Sequence, residues 1–155
     1  MDNDSTRRAL ELFSMHYNCA QSVFAACASK AALPEEQCLA LAAAFGGGIA
    51  RQGQVCGALT GALMALGEAA SAELANDPFA GREILYKRAQ EFTQAFRKAH
   101  GSILCRELTG CQLNTGEGQR TYKELEMHRK LCQELVTFAA GEASKVIAAS
   151  QKPQP

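Results

Sequence analysis

Residues 45–67, FGGGIARQGQVCGALTGALMALG, constrain this chain more than any other stretch. Three consecutive glycines, Gly46, Gly47 and Gly48, follow an apolar segment. A backbone without Cβ groups suits positive φ or the close approach of another group. A short polar turn, Arg51 to Gln54, comes next, and from Val55 to Gly67 the chain is apolar with almost no polar interruption. A helix apolar on every side belongs in an interior, so this segment reads as the central rod of a helical bundle. Gly57, Gly61 and Gly67 would each cost such a rod about 1 kcal/mol relative to alanine. They make sense where another backbone, or a ligand, must come close. Cys56 stands at the start of the rod, where the partial positive charge and free N–H groups of a helix N-terminus favour a thiolate.

The remaining composition agrees with helices. Alanine is abundant and β-branched runs are missing, so the expected fold is all-α: a compact bundle of about six helices around the buried Gly/Ala-rich one. The 155 residues suffice for one domain with a real core, expected over 1–150, with a disordered tail at 151–155. Lys+Arg and Asp+Glu both number 16, and a neutral chain lacks the basic surface that phosphate contacts need, which argues against a nucleic-acid partner. The apolar runs at 39–50 and 55–67 are too short to span a bilayer, and residues 1–14 carry charges without an apolar signal core. A soluble, cytoplasmic protein is therefore expected, without a membrane partner. In a reducing compartment, seven cysteines point to metal binding, redox chemistry or core filling rather than structural staples. A homo-oligomer is compatible with everything above.

Taken in order, Asp4 or Ser5 can cap a first helix with Leu10, Phe13 and Tyr17 on its apolar stripe. Asn18 caps a second, placing Cys19 in its first turn. Pro34-Glu35-Glu36 starts a third, with Cys38, Leu41, Ala42 and Phe45 on one side. After the central helix, residues 71–78 read as a polar connection. A long amphipathic helix follows over about 81–99, with Leu85, Ala89, Phe92, Phe96 and Ala99 inward, ended by Gly101. Ser102 caps a short helix over 103–108, residues 111–119 read as a loop, and Thr121 with Glu124 has capping-box spacing. The final helix runs to about Ala149 and presents Leu125, His128, Cys132, Val136, Ala139, Ala143 and Ile147 on one face.

Two cysteines, Cys27 and Cys38, lie inside apolar stripes and read as core. Cys19, Cys56 and Cys105 share another context: each opens a predicted helix after a cap or a glycine-rich turn, where a thiol is acidified. Cys132 is mid-helix, with His128 one turn earlier, a spacing at which both can reach one metal or exchange a proton. His16, about one turn before Cys19, has a similar spacing. Cys111 opens a loop, whose freedom would suit a resolving thiol. No CxxC, CxxCH, Walker A or GxGxxG motif is present.

Asn18-Cys19-Ala20-Gln21, Phe45-Gly46-Gly47-Gly48, Cys56-Gly57-Ala58-Leu59-Thr60-Gly61, the segment Gly101 to Gly110 and Cys132 together resemble the C_GCAxxG_C_C family of redox-active proteins. The resemblance covers most of the chain and implies that Cys19, Cys56, Cys105 and Cys132 are the family cysteines. Two chemistries follow. In the first, the four thiols form reversible disulfides with a redox partner or small molecule: Cys56 is the nucleophile, Cys19 or Cys105 its partner, and Arg51 steadies the thiolate. In the second, the same four hold zinc, copper or an iron–sulfur cluster, with Gly46, Gly47, Gly48, Gly57 and Gly61 letting N–H groups approach the sulfurs. The resemblance tips the expectation towards redox chemistry.

Overall fold

The computed structural model describes residues 3–29 and 31–152. Among them are nine α-helices and no strand: α1 (Asn3–Ser14), α2 (Cys19–Cys27), α3 (Glu35–Ala42), α4 (Gly57–Ala69), α5 (Ser71–Asn76), α6 (Pro78–His100), α7 (Cys105–Thr109), α8 (Gly116–Glu124) and α9 (Gln133–Ser150). The fold is all-α, with more helices than the six expected. The expected polar connection at 71–78 contains α5, and the expected loop at 111–119 already begins α8. Residues 153–155 of the expected tail lie outside the described residues.

The apolar rod is α4, and none of its residues is exposed. It packs on α2, α6 and α9. Ala58, Leu59, Ala62 and Leu66 join Phe92 and Phe96 of α6 and Leu135, Val136 and Ala139 of α9 in the main core. Small residues let α2 and α4 touch backbone to backbone. A Cβ on Gly61 would sit 2.5 Å from the Ala20 carbonyl oxygen.

Caps fix most helix starts. Asn18 accepts a hydrogen bond from the Gln21 backbone while the Gln21 side chain accepts one from the Asn18 backbone, a reciprocal capping box. Those two side chains also donate to Ala43 O and Leu39 O, tying α2 to α3. Asp77 caps α6 ahead of Pro78, and Gly101 ends α6 at φ 85°. Three expectations change. Leu41 is 59% exposed, Leu125 is 48% exposed, and Ala99 faces solvent. The last helix does not run unbroken from Thr121. Thr115 caps α8, Glu126 breaks the chain at φ 53°, and a π-helical turn, His128–Cys132, leads into α9.

The glycine triplet opens a left-handed turn. Gly47, Gly48, Ile49, Ala50 and Arg51 have φ of 66°, 71°, 62°, 47° and 65°. Each L-residue there costs about 1–2 kcal/mol, and a β-branched one is the least tolerant. Backbone bonds from Arg51 N–H to Gly46 O and from Gly53 N–H to Gly47 O hold the turn. Ile49→Gly is therefore expected to leave stability within about 1 kcal/mol of the native protein, because relief of backbone strain offsets the loss of a side chain that is 42% exposed and the added entropy of the unfolded chain. Thermal unfolding checks this; a loss well beyond about 1 kcal/mol would mean that the left-handed run carries no strain at Ile49.

Candidate functional site: four thiols on one cavity

The capping box sets Cys19 as the first residue of α2, and the polar turn sets Cys56 as the residue that caps α4. The two helix starts meet because Gly57 has no side chain: a Cβ there would overlap Cys19 Sγ. Residues 53–56 then zip antiparallel to 103–106. Val55 bridges Leu104, Cys56 N–H donates to Ile103 O at 2.8 Å, and Cys105 N–H donates to Gln54 O at 2.7 Å. This brings Cys105 to the same end of the bundle. Gly48 closes it, since a Cβ there would lie 2.8 Å from Cys105 Cβ. Cys132 arrives from the π-helical turn, a geometry frequent at functional sites. The Tyr122 hydroxyl of α8 donates to its sulfur at 3.2 Å.

Cys19, Cys56, Cys105 and Cys132 line one cavity of about 830 Å³, together with Gly46, Gly47 and residues of α1, α7 and α8. They differ in acidity. Cys19 is held down to about 7, chiefly because the Cys56 thiol hydrogen-bonds it, with the N–H groups of Gly47, Ala20 and Cys19 itself adding to this against the cost of burial. Cys56 is pushed well up: it is the donor to Cys19, it is buried, and it faces the Cys19 charge, with only the Ala58 N–H pulling the other way. Burial pushes Cys105 up to about 12, helped by Cys19, Cys132 and Cys111. Burial also pushes Cys132 up to about 11 despite the Tyr122 hydrogen bond. Cys19 is thus the most acidic of the four cavity thiols.

The expected acidification of Cys56 by its helix start is overturned. Two helix N-termini meet here, and the proton stays on the sulfur with fewer N–H donors. Arg51 lines the cavity, but the Cys19 shift comes from the Cys56 thiol and backbone N–H groups rather than from Arg51. Cys111 is not a mobile loop thiol: it is 2% exposed, its thiol donates to Thr109 O at 3.3 Å, and its N–H donates to Thr109 Oγ1 at 3.2 Å. His128 stacks face to face on Phe13, ring centroids 3.9 Å apart, and burial and nearby His16 lower its pKa. Cys38 is core as expected, and Cys27, half-buried, donates to Ala140 O. Tyr122, Arg120 and Lys123 were not legible as site residues, because nothing in their spacing ties α8 to the cysteines.

The metal reading meets a geometric test. Among the described residues no disulfide joins any of the cysteines, and no group of three or more His, Cys, Asp or Glu side chains is placed to hold one ion. Among the same residues no helix is long and apolar enough to cross a membrane.

Fold and site define an all-α, cysteine-rich protein, four of whose seven cysteines line one cavity. The profile of the family described as "Putative redox-active protein (C_GCAxxG_C_C)" matches residues 17–146, and the chain belongs to that family. No curated protein and no solved structure matches it.

Proposed function

We propose that the protein carries out thiol–disulfide exchange, with Cys19 as the attacking thiolate and Cys56 as the resolving thiol. The observation that carries this reading is the acidified Cys19 sulfur beside the protonated Cys56 sulfur at one cavity. The Cys19 thiolate attacks a disulfide R–S–S–R′, forming a Cys19–S–S–R mixed disulfide and releasing R′S⁻, which takes a proton. Loss of the Cys19 charge lets Cys56 give up its own proton and attack Cys19 Sγ. A Cys19–Cys56 disulfide forms and RSH leaves. A thiol reductant reverses both steps. The overall change is two protein thiols and one disulfide in, one protein disulfide and two thiols out.

Disulfide mapping by mass spectrometry after mild oxidation tests the pairing. A Cys19–Cys56 link is the expected first product, whereas a first link that spares Cys19 would sink the assignment. Alkylation tests the acidity. The fraction of thiolate rises with pH through the Cys19 value, so the iodoacetamide rate of Cys19 should rise with a midpoint at about 7. Cys56→Ala removes the donor to the thiolate, and a hydrogen bond to a charged group is worth about 1.5–3 kcal/mol, so the midpoint should move up by about one to two units. Cys56→Ser keeps a donor and should keep most of the shift. Equal midpoints in all three proteins would remove Cys56 from the cause. Near-stoichiometric iron, zinc or copper in protein purified without oxygen, lost in the Cys56→Ser and Cys132→Ser variants, would replace exchange by the metal reading.

A further inference from the structure

Among the described residues the cavity lining carries Arg51, Arg120, Lys123, His16 and His128 but no aspartate or glutamate. The chain as a whole is neutral, with 16 basic and 16 acidic residues, so a one-signed lining is not a by-product of composition. Among the described residues Arg51, Arg120 and Lys123 have no ion-pair partner, whereas Arg129 and Lys130, a few residues further on, both pair with Glu126. Arg120 and Lys123 stand three apart on α8 and so share a face, and Arg51 comes from the left-handed turn. The three cations therefore reach the cavity from two separate elements. Glu117 and Glu124 also belong to α8, yet neither lines the cavity.

Size and depth narrow the ligand further. A volume of about 830 Å³ lies within the range of small-molecule sites. Cys56 is 4% exposed and Cys105 7%, while Cys19, which attacks, is half-buried on the cavity wall, so a disulfide must enter the cavity to meet it, which a small molecule does more readily than one anchored on a folded protein surface.

Resting on the exchange reading above, we propose that the substrate is a small anionic disulfide or its thiol, bearing carboxylates that Arg51, Arg120 and Lys123 engage while its sulfur faces Cys19. Guanidinium–carboxylate pairs can be bidentate, which orients the ligand as well as attracting it.

Three probes of opposite or no charge test this: oxidised glutathione, neutral bis(2-hydroxyethyl) disulfide and cationic cystamine. Each rate constant for protein thiol loss is divided by that of 2-mercaptoethanol with the same disulfide. The expected order is oxidised glutathione first by about tenfold over the neutral probe, cystamine last, with the spread shrinking as salt is added. In the double variant Arg120→Gln with Lys123→Gln, both on an exposed helix face, the ratio between anionic and neutral probes should fall about tenfold. Equal normalised rates, a preference for cystamine, or faster exchange with the disulfides of insulin would overturn the proposal. Calorimetric titration of the Cys19→Ser variant with oxidised glutathione separates binding from chemistry. Binding that weakens in the Arg120→Gln, Lys123→Gln background upholds the anion site even if no probe exchanges, in which case exchange itself has failed. No heat of binding, with intact exchange in the native protein, overturns the anion site alone.

Discussion

Cys19→Ser is expected to lose disulfide exchange by about three orders of magnitude or more, because a hydroxyl in the same place stays protonated and is a poor nucleophile towards sulfur. The prediction singles out one cysteine of seven. Cys19 alone combines a stabilised negative charge with a place on the cavity wall. Cys105 and Cys132 share the wall but hold their protons to about 12 and about 11, so Cys105→Ser and Cys132→Ser should slow the first attack far less. Thiol loss on addition of a small disulfide, followed with a colorimetric thiol reagent, makes the comparison, and circular dichroism confirms that each variant is folded. If Cys19→Ser kept its rate within a factor of about ten, the nucleophile would have to be another thiol, with Cys56 first in line.

The second large effect concerns the contact that builds the site. Gly61→Ala is expected to destabilise the protein by about 2 kcal/mol, and Gly67→Ala, in the same helix, to stabilise it by up to about 1 kcal/mol. Both substitutions gain the same helix propensity. At Gly61 the new methyl would sit 2.5 Å from Ala20 O and 3.1 Å from Ala20 Cα, so α2 must move away from α4. At Gly67 the same methyl meets nothing within 4 Å. For a chain of this length the expected shifts in Tm are about 4–8 °C downward and about 2–4 °C upward. Gly61→Ala should also weaken the acidity of Cys19, since Ala20 lends one of the N–H groups that hold the thiolate. Two changes of the same sign would show that the α2–α4 contact is not what the geometry requires.

Both predictions show where local sequence stops being informative. The identity of α4 is legible because thirteen nearly uninterrupted apolar and small residues have one stable environment, a helix surrounded by other helices. Its glycines announce a close approach, but only the packing says that Gly57 admits Cys19 Sγ, that Gly61 admits the Ala20 backbone, and that Gly67 admits nothing. Asn18 is legible as a cap from its own residue type and Gln21 three places on. The left-handed run from Gly47 through Arg51 is only half legible: glycine permits positive φ, while Ile49 and Ala50 adopt it because the turn's backbone bonds leave no alternative. The π-helical turn at Cys132 left no mark in a face pattern that otherwise looked continuous.

The sequence by itself determined that this protein is helical, that its most apolar helix is buried, and that the chain belongs to one family, matched over residues 17–146. Those properties rest on periodicity, caps and residue type within a few positions of one another. Tertiary structure alone decided which thiol is the most acidic, because acidity follows the number of N–H groups and thiols converging on the sulfur from α2, α4 and the glycine turn. It alone set Arg51, Arg120 and Lys123 on the same cavity as that sulfur. Proximity between residues a hundred positions apart is a property of packing, and electrostatics depends on proximity.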